Sequence, residues 1–176
     1  MAYKLLEQTE CPSWLHMVTQ GATTVWERWN SFTEADGFGP ASMNSFNHPV
    51  FGSVVEWIYR SMLGIERDEE APGYKHFFLQ PEIGGSFTFA RGSFDTSYGT
   101  IFSGWEISED GLLTYTCTVP ANTTATLRLP APTEGVVREG DGLAKNAYGV
   151  THVGVEGERV VYELESGSYS VTLQIK

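Results

Sequence analysis

Two periods divide the chain. Between Pro12 and Gly64 the apolar residues recur at helical steps, and from Tyr74 onward they recur at every second position. The opening run Ala2-Tyr3-Lys4-Leu5-Leu6-Glu7 is helical in character and has no capping residue before it. Pro12-Ser13 predicts a helix start, with Trp14, Leu15, Met17 and Val18 as apolar members and Gly21 as the stop. Residues 22–42 mix Trp, Thr, Asn and Gly and read as a long ordered loop. Beyond them Phe51, Val54, Val55, Ile58, Met62 and Ile65 recur at steps of three, four and seven, which predicts an amphipathic helix ending at Gly64. Asn47 or Ser45 is expected to cap it, with Pro49 tolerated in its first turn.

Trp57, Tyr59 and Leu63 widen the apolar stripe beyond what one packing partner covers. Together with the uncapped start, this predicts a piece excised from a longer protein. With the rest of that protein missing, the helices are expected to lie against the sandwich or to bury their stripe in a self-association.

In the second region Phe87 to Arg91 and Ile101 to Ile107 alternate, and Asp110-Gly111 is a hairpin turn leading into Leu112 to Val119. Pro120-Ala121-Asn122 is another turn before Thr124 to Leu129. Val136-Val137, Thr151 to Val155, Val160 to Leu164 and Tyr169 to Ile175 supply the remaining strands, with turns at Glu156-Gly157 and Ser166-Gly167. Short alternating strands at about ten-residue spacing predict an antiparallel β-sandwich. The charged, then Pro-Gly-bearing stretch Glu66 to Gly73 suits a boundary, giving residues 1–70 and 71–176 as the two parts. The expected class is mainly β, with a few helices preceding the sandwich.

Charge narrows the partners. Eleven basic against 22 acidic residues give a formal charge of -11 over 176 residues. No basic field gathers phosphates, which argues against nucleic acid and anionic membranes, while neutral sugars meet no repulsion. No apolar run approaches a membrane span, and the first ten residues do not form a signal peptide. Compartment stays open. Cys11 and Cys117 do not make a disulfide framework and are expected to be buried thiols. Neither has a second Cys or His at ligand spacing, so no metal or other cofactor is expected.

Two clusters could carry chemistry. In Trp26-Glu27-Arg28-Trp29 a carboxylate stands between two indoles. Indole faces stack on the C–H face of a sugar, and a glutamate can accept hydroxyl protons or activate water. Arg28, pointing the other way on an extended backbone, is expected to brace the loop. A glutamate flanked by aromatics is nonetheless more often a surface or interface residue than a catalyst, so spacing alone leaves both readings open. In the second cluster Asn44, Asn47 and His48 gather polar groups before the long helix. Capping is the plainer account of the asparagines. His16, His76 and His152 read as structural, Trp105 as sandwich core, and Glu66 to Glu70 as a solvated loop. Phosphate-loop, zinc-protease and serine-elbow motifs are absent.

Ala2 to Leu6, Pro12-Ser13-Trp14, Gly21 to Trp29 and Met43 to His48 together resemble bacterial α-L-rhamnosidases, at the end of their six-hairpin α/α barrel. Ser97-Tyr98-Gly99, Trp105, Val119 to Asn122 and Gly167-Ser168-Tyr169 resemble the same family's terminal sandwich. The resemblance implies that the helices are the remnant of a truncated (α/α)6 barrel whose amino-terminal part lies elsewhere in the polypeptide. It implies an inverting hydrolysis of terminal α-L-rhamnosides with Glu27 as general base. His48 and Asn47 would bind the sugar, and Trp26 or Trp29 would form the walls. Its general acid belongs to an earlier acidic motif that has no match here, so the isolated chain is expected to be inactive. Asn30 and Pro49 depart from the family pattern, where Asp and Tyr are common. Two further readings stay in view: a non-catalytic sugar-binding or supporting sandwich, and a related barrel glycosidase or phosphorylase acting on another sugar.

Overall fold

The computed structural model describes residues 2–131, 133 and 136–175. They form two compact units. One runs up to Trp57 and takes in Gly84–Ser86; the other comprises Ile58–Ile83 and the chain from Phe87 onward.

The first unit holds three short helices, α1 (Ala2–Glu7), α2 (Trp14–Thr19) and α3 (Val54–Trp57), and a minimal hairpin of β1 (Phe32–Thr33) with β2 (Gly37–Phe38). Helix α2 begins and ends as its sequence predicts. Ser13 is fully buried and its Oγ accepts the His16 N–H at 3.0 Å, satisfying a donor that the first helical turn leaves free. Gly21 then adopts φ +85°, a conformation that stops the helix and costs a residue without Cβ little. Glu7 ties Ser86 back to α1: one carboxylate oxygen accepts both the Ser86 N–H and, at 2.6 Å, its hydroxyl.

The expected long helix is not uniform. It opens as a 3-10 turn at Val50–Ser53, continues as α3, and ends in a wide π turn at Ile58–Met62, where the Leu63 N–H donates to the Ile58 carbonyl. Pro49 precedes the first turn without any side-chain cap, so neither Asn47 nor Ser45 plays the expected role. Val55 is half exposed, and Ile65 belongs to a strand rather than to the helix face. The reason lies at Gly64. Its φ is +74°, and a Cβ there would fall 2.2 Å from the Gln80 backbone, so the chain reverses against another strand where only glycine fits.

The second unit is a two-sheet sandwich. Its strands are β3 (Ile65–Arg67), β4 (His76–Leu79), β5 (Phe89–Thr96), β6 (Gly99–Ile107), β7 (Leu112–Val119), β8 (Thr124–Pro130), β9 (Arg138–Glu139), β10 (Gly142–Leu143), β11 (Val150–Glu156), β12 (Arg159–Leu164) and β13 (Gly167–Gln174). One sheet has the order β10-β9-β13-β7-β6-β5 and the other β11-β12-β8-β4-β3. Among the described residues pairing is antiparallel with one exception: β4 runs parallel to β8, His76 facing Thr124 and Leu79 facing Leu127. Strands β3 and β4 fall on stretches for which no strand was foreseen. Conversely, Val136 lies in a turn and Val137 is buried outside any strand, the neighbouring strand being β9.

Alternation fills the core. In β7 the residues Leu113, Tyr115, Cys117 and Val119 are buried while their neighbours lie nearer solvent. In the other sheet Leu127, Leu129 and Tyr162 of β8 and β12 are buried as well. Trp105 is core, as expected, and its Nε1–H donates to the Met62 carbonyl at 2.8 Å. Ser103 Oγ donates to the Leu63 carbonyl at 2.6 Å and lies 2.9 Å from the Tyr115 hydroxyl. Burial pushes the Cys117 thiol well above its ordinary range, which makes it inert. Cys11 is exposed, against expectation, because it stands in the loop between α1 and α2 where nothing covers it. Glu66 sits in β3 with its carboxylate 2.5 Å from Arg60 Nε, so the charged stretch is only partly a solvated loop.

Candidate functional site

Glu27 owes its position to two loops that run side by side in the first unit. The Glu27 N–H donates to the Ser45 carbonyl at 2.9 Å, and the Ser45 N–H returns a bond to Glu27 Oε2 at 2.7 Å. On one side of this pair the His48 N–H donates to the Val25 carbonyl at 2.8 Å, and the Thr24 hydroxyl donates to the Phe46 carbonyl. Residues 24–27 and 45–48 are thus laced together much as two strands would be, although neither belongs to a sheet. The lacing brings Glu27 and His48, the two polar groups singled out in the sequence, onto adjacent segments.

The carboxylate is half-buried. Its Oε2 is fixed by a backbone donor, and among the described residues Oε1 has no hydrogen-bond partner. One oxygen anchored and one open is the arrangement that a group receiving a proton from water needs, since the anchor sets direction and the free lone pairs do the chemistry.

The two tryptophans do different things. Trp26 is 4% exposed and packs edge-on against Phe32 and Phe46, at centroid distances of 6.5 and 5.3 Å. Trp29 stacks on Phe51 at 3.7 Å and meets Trp14 edge-on at 5.2 Å, so one indole face is already covered by protein. Trp14 in turn donates its Nε1–H to the Phe51 carbonyl at 2.9 Å. This aromatic chain explains how a loop-rich segment holds shape with few buried aliphatics. Arg28 is exposed, and among the described residues its guanidinium has no hydrogen-bond partner, so it does not brace the loop. That work falls to Ser31, whose Oγ accepts the Arg28 N–H at 3.2 Å.

Asn47 is exposed, with its N–H donating to Ser45 Oγ at 3.3 Å. Asn44 is the more deeply placed of the two asparagines: its Nδ2 donates to the Ser31 carbonyl at 2.8 Å, while its Oδ1 is buried without a partner among the described residues. A cavity of about 320 Å³ lies against Trp26, Phe32, Phe38 and Phe46, with Thr23 and Thr24 at its edge; Glu27 and His48 do not line it. Among the described residues no cluster of His, Cys, Asp and Glu could hold a metal, and no helix is long and apolar enough to cross a membrane.

Sequence reasoning did not find Ser45 as the partner of Glu27. The two are 18 positions apart, the bond uses a backbone N–H, and any residue except proline could donate it. No local signal exists for such a contact.

Comparison with known proteins gives a consistent set of likenesses. The family model of the bacterial alpha-L-rhamnosidase 6 hairpin glycosidase domain matches residues 1–62, and that of the bacterial alpha-L-rhamnosidase C-terminal domain matches residues 64–144. An α-L-rhamnosidase of Streptomyces avermitilis is 38% identical over 173 residues, covering 98% of this chain and 16% of its own length. One from Formosa agariphila is 42% identical over 130 residues, or 74% of this chain and 14% of the relative. The crystal structure of the Streptomyces avermitilis enzyme complexed with L-rhamnose superposes with a TM-score of 0.84 at 37% identity, over 98% of this chain and 16% of that one. The α-L-rhamnosidase structure from Dictyoglumus thermophilum gives 0.78 at 32% identity, over 98% and 18% respectively. The chain therefore spans about a sixth of the length of these relatives.

Proposed function

The chain belongs to the bacterial α-L-rhamnosidase family, and from that premise we propose that it works as the carboxy-terminal part of a longer glycoside hydrolase, with Glu27 as the base of an inverting reaction. The observation that carries this reading is the half-anchored carboxylate, Oε2 held by the Ser45 N–H and Oε1 open.

Inversion needs two carboxyl groups roughly 6.5–9.5 Å apart. One protonates the glycosidic oxygen as the bond to the anomeric carbon breaks. The other takes a proton from the water whose oxygen attacks that carbon from the opposite face. Glu27 would fill the second role. His48, tethered to Val25, and Asn47 beside it would hydrogen-bond the hydroxyls of the terminal rhamnose. Trp29, stacked on Phe51 and met edge-on by Trp14, would contribute to a wall, while the buried Trp26 fixes the loop.

The acid would come from residues outside this chain, as would the remaining wall. Two features support that division of labour. Glu27 and His48 lie outside the cavity of about 320 Å³ in their own unit. Val18, Val50 and Val55 are each at least half exposed, apolar surface that a longer barrel would cover or that self-association would hide.

The test has two arms. The isolated chain, incubated with an aryl α-L-rhamnoside at neutral pH, should show no turnover; turnover that Glu27→Gln abolishes would overturn the division between base and missing acid. In the longer protein, Glu27→Gln should lower kcat by about 10²–10⁴-fold without moving the thermal midpoint, because the amide oxygen can still accept the Ser45 N–H. Turnover there should not depend on inorganic phosphate, and phosphate dependence would turn the reading toward a phosphorylase.

A further inference from the structure

We propose that the outer face of the six-stranded sheet carries a second, non-catalytic sugar subsite, a shallow trench centred on Gly104 that takes one neutral pyranose ring. The trench rests on the sandwich alone and would stand if the role given to Glu27 fell.

Its geometry follows from strand register. Phe89 faces Glu106, which faces Thr114; Arg91 faces Gly104, which faces Thr116. These side chains stand on the face opposite Tyr115 and Cys117, so the row at Gly104 is a gap in a surface otherwise covered by side chains. A Cβ on Gly104 would come within 3.2 Å of Phe102 Cζ and 3.1 Å of Arg91 Cβ. The missing side chain is what lets the Phe102 ring and the Arg91 stem border bare backbone, leaving a trench of about 200 Å³.

What lines the trench is unusual for this protein. Phe89 is 57% exposed on a soluble face. Among the described residues the rings of Phe89 and Phe102 have no aromatic partner, and the head groups of Arg91 and Glu106 have neither ion pair nor hydrogen bond. Elsewhere in the sandwich such charges are engaged, Arg128 with Glu156 at 3.0 Å and Arg159 with Glu82 at 2.8 Å. The hydroxyls of Thr114 and Thr116 are likewise without partners among the described residues.

This combination selects a class of ligand. Phenyl faces take the C–H face of a sugar ring; a guanidinium donates, a carboxylate accepts, and threonine hydroxyls do both, which matches a ring of hydroxyls. The charges of Arg91 and Glu106 cancel locally, and the net charge of -11 disfavours acidic ligands. A volume below the usual range for drug-sized ligands fits a single ring, which implies weak binding.

The experiment is an NMR titration of the isotopically labelled chain with methyl α-L-rhamnopyranoside and methyl α-D-glucopyranoside, with D-galacturonate as the acidic counterpart. At least one neutral glycoside should give saturable shifts at the amides of Ala90, Gly104 and Thr116, with a Kd in the millimolar range. D-Galacturonate should bind about tenfold more weakly or not at all. Phe89→Ala removes an exposed ring without touching the core and should weaken binding by about tenfold. Gly104→Ala should fill the trench and do the same, and the shifts at Ala90, Gly104 and Thr116 should persist in the Glu27→Gln variant. Absence of shifts with both neutral glycosides, equal binding of D-galacturonate, or an inert Phe89→Ala would overturn the proposal. So would shifts confined to residues 24–48 that Glu27→Gln removes, since those report the site at Glu27 instead.

Discussion

The two units of this chain hold themselves together by different means. The sandwich buries aliphatic and aromatic side chains in two facing layers, with Phe77, Leu79, Ile101, Leu113, Tyr115 and Leu129 all fully inaccessible. Among the described residues of the first unit only Ser13, Met17, Trp26 and Ser31 are buried, and two of those four are serines. Its order comes from backbone lacing and from a chain of ring contacts running from Trp14 through Trp29 to Phe51. A core stabilises by removing surface from water, whereas lacing fixes geometry with little net gain per bond. The unit that would carry the chemistry is therefore the one with less stability of its own, and positional precision there rests on local hydrogen bonds. Catalytic loops elsewhere show the same division, mounted on rigid scaffolds that they do not themselves provide.

Four measurements sharpen or break this contrast. Leu127→Ala, at a position 1% exposed between the sheets, should cost about 2–5 kcal/mol in urea denaturation; a smaller loss would mean the sandwich core is looser than its burial indicates. Ser103→Ala removes the hydroxyl that serves the Leu63 carbonyl and the Tyr115 hydroxyl and should cost about 1–3 kcal/mol. Ser13→Ala, which strips the α2 cap, should cost about 1 kcal/mol, read as faster amide exchange in residues 14–19 rather than as a shift of the sandwich transition. The smallest effect concerns pH. Hydrogen bonds from the Ser86 hydroxyl and N–H lower the folded pKa of Glu7 below its ordinary value. A lowered folded pKa means that the contribution is present above the unfolded value and disappears as pH falls through the folded one. The Ser86 amide resonance should therefore shift at the acid end of the carboxylate range, and Glu7→Gln should remove that titration.

The contrast also marks what was legible in the sequence. Where structure depends on neighbours along the chain, residues announced it. Ser13 and Gly21 bracket α2, Asp110-Gly111 turns β6 into β7 with Gly111 at φ +81°, and strict alternation foretells the buried row from Leu113 to Val119. Where it depends on distant partners, they did not. β3 and β4 are too short to show a period, and β4 is a strand because β8 lies parallel beside it. The apolar repeat from Phe51 to Ile65 reads as one smooth helix, but Gly64 folds its last member into a sheet. In the candidate site, Glu27 stood out as a carboxylate between two indoles, but its role and that of His48 came from the family resemblance; Ser45, which holds the carboxylate, was hidden because it acts through its backbone.

The last strand of the chain order has a bearing on how the protein comes into being. β13 does not lie at an edge: it is inserted between β9 and β7, with Gly167 opposite Val119 and Gln174 opposite Leu112. During synthesis β7 leaves the ribosome with a row of unpaired backbone groups and waits for a strand made long afterwards. Such late, long-range closure is slow compared with helix formation and exposes a sticky strand in the meantime. The sheet cannot zip shut progressively from one end. A nascent chain stalled before Gly167 should consequently depend on chaperones or aggregate, however well formed the β5–β6–β7 meander already is.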